Sequence, residues 1–372
     1  MKNIVVIFGG ESPEHDVSII TGCLVLNSLD REKFNPIPVY VGKKGDWYYG
    51  EPLKKVSFYR NPVFKGLKKV CFFGGDNILY TKKGQKALFP IAAAVNCMHG
   101  GMGENGTIGA LFDFFNIPFV TSGLFSASLS MDKTLTKLPL KALGVRVVDY
   151  LAVGRREYFQ NRDAAQDRIL SVISFPLIVK PASSGSSIGV GVCRNVYELD
   201  KALCAALRFD HKAIVEKFLE GARELNCAAY KKIGGTVVSR IEMPVTTNKF
   251  LTFDDKYLGH KQGYTKSQCP APIPKALEEE ILSTTRTVYD SLDFSSVVRM
   301  DYLYWDKKLY LNEINTVPGS FAYYLFSDTI SGLTDLLTDL LVKAMDDHLQ
   351  KMGSERSFSS SILSLEGVNI KK

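Results

Sequence analysis

The stretch RMDYLYWDKKLYLNEINTVPG, residues 299–319, decides how the chain is read. Two runs of alternating apolar and polar residues flank Asp306-Lys307, the pattern of a β-hairpin. Arg299 and Asp301 share one face of the first strand, and Glu313 and Asn315 share one face of the second. Whether the two faces coincide depends on the turn. A two-residue turn at 306–307 sets Asp301 opposite Asn312 and sends Glu313 to the other side, whereas a three-residue loop over 306–308 opposes Asp301 and Glu313. The three-residue loop is expected, because the alternative scatters the four polar residues over both faces. Like charges directly opposite are destabilising, so an Asp301/Glu313 pair calls for a cation. All-oxygen donors with a carboxamide suit magnesium rather than zinc. Taken alone, the same pattern also describes a solvated amphipathic hairpin.

Around this hairpin the 372-residue chain is long enough for two or three domains. It is 45% hydrophobic and 23% charged, with no apolar run long enough for a membrane span. Residues 1–8 read as a first strand rather than a signal peptide, since "GGESPEHD" follows them, and the protein is expected in the cytoplasm. Seven scattered cysteines without a Cys-x-x-Cys pair suit reduced thiols. The net charge of +7 is spread along the chain, which argues against nucleic acid as a partner.

"NIVVIF", a glycine turn and the helical run "VSIITGCLVLNSL" open an α/β domain that continues through "PIPVYV", "PIAAAVNCM" and "GGMGENGTIGALFDFFN" to about residue 125. Residues 126–144 read as one helix and 145–153 as a strand, starting a smaller α/β unit that ends near residue 217. Two hairpin-like regions separated by the helix 275–292, and then the helix 332–352, fill 218–350, with 351–372 as a peripheral tail.

"IVKPASSGSSIGV", residues 178–190, places Lys180 at the end of an apolar strand before a loop of glycines and serines, whose backbone N–H groups can form an anion nest. It is neither a P-loop nor a Gly-x-Gly-x-x-Gly motif. With Lys133 in "SMDK" and the magnesium-type hairpin downstream, it suggests a nucleotide whose phosphates are covered by one domain and metal-bound by another.

In order and spacing, "GGESPEHDVS", "HGGMGENGTIGA", "MDK", "VKPASSGSSIGV", "VEKFLEG", "DDKYL", "CPAP" and the hairpin resemble the D-alanine:D-alanine ligase family of the ATP-grasp superfamily, from residue 4 to about 345. The resemblance implies a three-domain α/β (α+β) ATP-grasp fold, with a Rossmann-like parallel-sheet domain first and ATP between the other two. It implies that Lys133, Lys180 and Lys256 contact phosphates and that Glu216, Lys217 and Leu219 read adenine. Phe218 would lie beside the ring and Glu224 at the ribose, with Ile178 and Leu303 also among the nucleotide-binding residues. Asp301, Glu313 and Asn315 match ligands of two magnesium sites that manganese could also fill. Glu14, Ser186 and Tyr257 match the hold on the first substrate, with His99 nearby, and Arg299 and the Gly319 N–H match the donors to an oxyanion.

The activity so implied is ATP-dependent joining of two D-alanines through an acylphosphate, for peptidoglycan precursors. A relative joining D-alanine to another small amino acid such as D-serine, or a regulator that binds nucleotide without catalysis, are the alternatives. The intact metal and phosphate motifs speak against the regulator, and Lys256-Tyr257 favours an amino acid acceptor. D-alanine and ATP are then the small-molecule partners, and family members often dimerise. Asn105 and Gly109 depart from the family's usual aspartate and glutamine. Beside Leu325, expected in the acceptor pocket, Phe321 and Tyr324 replace a threonine and a serine. Tyr324 is therefore expected either to reach or narrow the acceptor pocket, or to pack with Tyr323 under the loop.

Overall fold

The computed structural model describes residues 1–73, 76–245, 266–355 and 357–360. Three sheets carry these residues. At the centre of the first lies β1 (Lys2–Gly9), whose residues Ile4 to Phe8 are wholly buried, as an apolar run covered on both faces requires. It pairs in parallel with β2 (Phe34–Val41) and β7 (Ala93–Asn96), and β8 (Phe119–Val120) continues in parallel beyond β7. On the other side β3 (Trp47–Tyr49), β4 (Lys68–Phe72), β5 (Ile78–Thr81) and β6 (Ala87–Pro90) extend the sheet with antiparallel pairings. The Rossmann-like parallel order is thus confined to β2-β1-β7-β8. The extension has strands of three to five residues, too short for period-2 alternation to register. Helices α1 (His15–Ser28) and α2 (Thr107–Phe114) follow the two glycine turns. Ten of the fourteen residues of α1 are buried, because it is covered by the sheet on one side and the C-terminal helix on the other.

The expected helix over 126–144 is two helices, α3 (Leu124–Met131) and α4 (Lys133–Ala142). Asp132 separates them: its backbone is extended, and its carboxylate accepts from the N–H groups of Thr134 and Leu135, capping α4. The expected strand over 145–153 is shorter and later, β9 (Tyr150–Gly154). With β10 (Leu177–Pro181), β11 (Gly191–Cys193) and β12 (Lys212–Lys217) it forms an antiparallel sheet ordered β11-β10-β12-β9. After α5 (Arg155–Gln160) and α6 (Arg162–Val172), α7 (Val196–Phe209) lays Leu199, Leu203, Ala206 and Leu207 on this sheet, a helical stripe facing a core.

The third sheet, ordered β15-β14-β13-β16-β17, is antiparallel throughout. Its strands are β13 (Arg223–Lys232), β14 (Gly235–Val245), β15 (Lys266–Gln268), β16 (Val298–Trp305) and β17 (Lys308–Asn315). Helix α8 (Lys275–Ser291) covers the face formed by Met300, Tyr302, Leu311 and Ile314. Arg299, Asp301, Glu313 and Asn315 therefore occupy the other face. The last helix, α9 (Ile330–Met352), packs Leu333, Leu336, Leu337, Leu340 and Leu341 against Ile4, Val6 and Phe8 of β1 as well as Tyr230 of β13, tying the first sheet to the third. The seven cysteines are unpaired. No helix among the described residues is long and apolar enough to cross a membrane.

Leu337 is fully buried at that junction. Leu337→Ala is expected to lower unfolding stability by about 3 kcal/mol, read as a fall in the urea midpoint, since a truncated core leucine leaves a cavity.

Candidate functional site

A cleft of ≈ 580 Å³ opens between the second and third sheets. It brings together Lys133, Ile178, Lys180, Glu216, Lys217, Phe218, Leu219, Glu224, Leu303 and Glu313. Strand geometry accounts for much of this. Glu224 and Leu303 are paired across β13 and β16, two residues along from the pair Asn226 and Asp301, so all four face the same side. On the second sheet, β10 delivers Lys180 just before the glycine-serine loop, and β12 delivers Glu216.

The charges in the cleft are tightly arranged. Lys133 donates to the Ser184 carbonyl (2.8 Å) and stands 3.9 Å from Glu313. Lys180 lies 2.7 Å from one carboxylate oxygen of Glu216 and donates to Asn312 Oδ1 (3.1 Å). The other Glu216 oxygen is 2.7 Å from Lys137, a residue that no motif in the sequence singles out. Burial alone would raise the Glu216 carboxyl, but Lys137 and Lys180 hold it down at about 2. Lys217, by contrast, spends its ammonium on the carbonyls of Ser174 and Phe175 (3.0 and 2.8 Å).

The hairpin turn corrects one expectation and keeps its consequence. The turn has two residues, not three: Trp305 pairs with Lys308, and Asp306 and Lys307 both have positive φ (48° and 56°), as a type I′ hairpin requires. A bulge then restores the register. Tyr302 opposes Leu311 while Asp301 opposes Glu313, so Asn312 is the extra residue. Arg299 grips Asp301 through Nε (2.6 Å) and Nη2 (2.8 Å), and Asn315 Nδ2 donates to the same carboxylate (2.9 Å). The row continues across the sheet, since Asn226 pairs with Asp301 on one side and Glu242 on the other. Among the described residues no three His, Cys, Asp or Glu side chains converge as a ready-made metal cage.

At the other end, Glu14 precedes α1 and is buried, and the Ser186 hydroxyl donates to its carboxylate across the gap between first and second sheets. A Cβ on Gly100 or on Gly185 would come within 2.7 or 2.8 Å of Glu14 Oε2, so both glycines keep the carboxylate's surroundings clear. His99 is buried nearby, 2.9 Å from Thr21 Oγ1 and 3.5 Å from Glu104. Gly319 has no positive φ, and a Cβ there would meet nothing within 4 Å. The protein itself therefore does not demand a glycine at that position, which faces open space.

The two tyrosines after it diverge, with their rings 6.3 Å apart and nearly perpendicular. Tyr323 packs on the core of the first sheet, whereas the Tyr324 phenol lies beside Arg299. Burial pushes that phenol up to about 12, although Arg299 pulls against the shift. Leu325 is buried beside Ala228 and Ala322. Arg240 holds this segment from β14, donating to the carbonyls of Tyr324 (3.0 Å) and Leu325 (3.2 Å). Lys256 and Tyr257 lie outside the described residues.

Glu216 gives a pH prediction with a definite sign. Its folded pKa, about 2, lies below the ordinary 4.5, so its ionised form stabilises the fold fully above about 4.5, and that contribution is lost as pH falls toward 2. The stability difference between wild type and Glu216→Gln, measured by urea unfolding, is expected to shrink by up to about 3 kcal/mol over that window and to stay flat above pH ~5.5. A flat difference throughout would contradict the pairing.

The sequence model of the D-ala D-ala ligase N-terminus matches residues 3–122, and that of the D-ala D-ala ligase C-terminus matches residues 140–342. A D-alanine–D-alanine ligase of Thermosipho melanesiensis is 36% identical over 373 residues, which cover 98% of this chain and 97% of that one. Among solved structures, the D-alanine-D-alanine ligase from Helicobacter pylori superposes with a TM-score of 0.74 at 28% identity, covering 92% of this chain and 98% of its own. The VanG D-Ala:D-Ser ligase from Enterococcus faecalis does so with 0.73 at 26%, covering 94% and 98%. With two matched models spanning most of its length and relatives above 30% identity along nearly all of it, the chain belongs to the D-alanine–D-alanine ligase family.

Proposed function

We propose that the protein is an ATP-dependent ligase joining two D-alanines into D-alanyl-D-alanine, a peptidoglycan precursor, in the cytoplasm. The observation that carries this reading is the single cleft in which α4, β10, β12, β13, β16 and β17 place three lysines, three carboxylates and an apolar wall. A nucleotide needs those surfaces together: Ile178, Phe218, Leu219 and Leu303 for the base, Glu216 and Lys217 at its edge, Glu224 for the ribose, Lys133, Lys180 and Lys256 for the phosphates.

A carboxylate is a poor electrophile toward an amine. Transfer of the terminal phosphoryl of ATP to a carboxylate oxygen of the first D-alanine releases ADP and leaves an acylphosphate. The amino group of the second D-alanine then attacks the carbonyl carbon. The bond from carbon to the phosphate oxygen breaks, inorganic phosphate leaves, the nitrogen loses a proton, and the dipeptide remains. The first step needs alignment and charge neutralisation more than covalent help. Glu14, with Ser186 and Tyr257, would hold the first substrate's ammonium near His99. The Arg299 guanidinium and the Gly319 N–H would serve the oxyanion of the second step, where donors fixed in advance count most.

Asp301, Glu313 and Asn315 are assigned to magnesium at two positions, with manganese as a substitute. The donors fit: they are oxygens, two are carboxylates opposed across the hairpin, and their number falls short of a full shell, which suits magnesium shared with phosphates. Bound there, the ion would neutralise charge on the transferred phosphoryl group.

The acceptor end fits a small amino acid. Tyr324 stands beside Arg299 where a serine would leave more room, so D-alanine, D-serine or glycine should be accepted and bulky amino acids rejected.

Incubation with D-alanine, ATP and magnesium is expected to release phosphate and dipeptide together, and Glu313→Gln to retain less than roughly a tenth of that turnover while still folded. No D-alanine-dependent phosphate release by wild type would overturn the reading. Over a panel of acceptors, Tyr324→Ser is expected to change acceptor KM values while leaving ATP affinity and the first-site KM nearly intact; an unaltered panel would reduce Tyr324 to packing.

A further inference from the structure

Lys137 is 1% exposed and sits one helical turn after Lys133 on α4. Its ammonium lies 2.7 Å from Glu216 Oε1 without an aligned hydrogen bond, and 5.5 Å from the centre of the Tyr150 ring. The same carboxylate carries Lys180 on Oε2, also at 2.7 Å, and Lys180 reaches Asn312 on the bulge. Two ammonium groups from two elements therefore share one buried carboxylate on a third. A buried lysine is costly to desolvate, and at a purely structural position an apolar side chain would often serve as well.

We infer that Lys137 is a positioning residue for the nucleotide: by occupying one oxygen of Glu216 it confines Lys180 to the other, so that an ammonium proton used by neither Glu216 nor Asn312 can meet phosphate oxygens. The inference rests on the ATP-dependent reaction proposed above. Counting charge makes the case. With Lys137 present and protonated the trio carries a net positive charge inside the cleft, which a polyphosphate can neutralise. With Lys137 removed, Glu216 and Lys180 form a closed neutral pair, and phosphate must compete with the carboxylate for the ammonium. The two ammonium groups titrate in opposite directions. Burial pushes the Lys137 ammonium down despite Glu216, whereas Lys180, which burial would also lower, is held above its ordinary value by Glu216 first and then by Glu313 and Glu224.

The test is a double-mutant cycle of Lys137→Met and Glu216→Gln, read as Kd for a non-hydrolysable ATP analogue by calorimetry and as KM and kcat with D-alanine. Lys137→Met is expected to weaken analogue binding and raise the ATP KM by about tenfold, equivalent to about 1.4 kcal/mol, with the D-alanine KM unchanged. In the Glu216→Gln background the same substitution should change analogue Kd by less than about twofold, because the route to Lys180 is already cut. If Lys137→Met fails to fold, a loss of more than about twofold between Glu216→Gln and Lys137→Met/Glu216→Gln still overturns the inference. A folded Lys137→Met with unaltered ATP affinity, or an equal loss in both backgrounds, overturns the inference. A wild type that binds no ATP analogue overturns the proposed function instead, so the two failures are distinguishable.

Discussion

The bulge at Asn312 is the constraint on which the phosphate end of the cleft depends. β16 and β17 are joined by the tightest hairpin turn, and two-residue closure would fix Asp301 opposite Asn312. Every residue from 312 onward would then present its other side, with Glu313 and Asn315 turned into the apolar layer under α8 and Ile314 turned out of it. One extra residue reverses this. It lets Leu311 and Ile314 stay in the core while Glu313 faces Asp301, and the residue set aside, Asn312, becomes the partner of Lys180 on the facing sheet. Packing and chemistry are reconciled by a local irregularity that neither would require alone.

Electrostatics then ties the cleft together. The opposed carboxylates of Asp301 and Glu313 are tolerable because cations surround them: Arg299 on Asp301, Lys133 near Glu313, Lys180 beyond. On the second sheet the proportion is inverted, with Glu216 alone between Lys137 and Lys180. Each sheet thus carries charge that its own side chains do not fully balance, and the two meet across the space where a polyphosphate with a divalent cation would be neutralised on both sides. In a low-dielectric cleft such arrangements act strongly, because little solvent is left to screen them.

How much of this the sequence made legible follows from the range of each signal. Alternation in β16 and β17 and the helical stripes of α7 and α8 are local and repeat, so elements and faces could be read from them. The break at Asp132 was also local, but the apolar periodicity on either side runs through it, and the capping residue was read as part of a continuous helix. The bulge was invisible because it depends on which residues the opposite strand needs buried. Lys137 was invisible for a different reason. A lysine on an amphipathic helix is nearly always solvated, and only the tertiary placement of Glu216, 79 positions away by the numbering, makes it a buried ion. The described residues matched to the nucleotide share one cleft; the acceptor end is less legible because its shape is set by backbone conformation rather than by side-chain type.

That backbone is unusual. Ser320, Phe321 and Ala322 all adopt left-handed φ values of 52°, 55° and 47°, a region that costs a residue with a side chain about 1–2 kcal/mol. Three in succession persist only where the surroundings overdetermine them. Phe321 is anchored in the core shared by the first and third sheets, Ala322 and Leu325 are buried in a small apolar cluster, and Arg240 fastens the carbonyls of Tyr324 and Leu325 while pairing with Asp328. The reversed twist separates the side chains of adjacent tyrosines, so Tyr323 enters the core while Tyr324 turns to Arg299. A right-handed turn of the same length would carry the two phenols along another path. The position of Tyr324 at the guanidinium is thus set by strain held in the three preceding residues and by the anchors on either side of them.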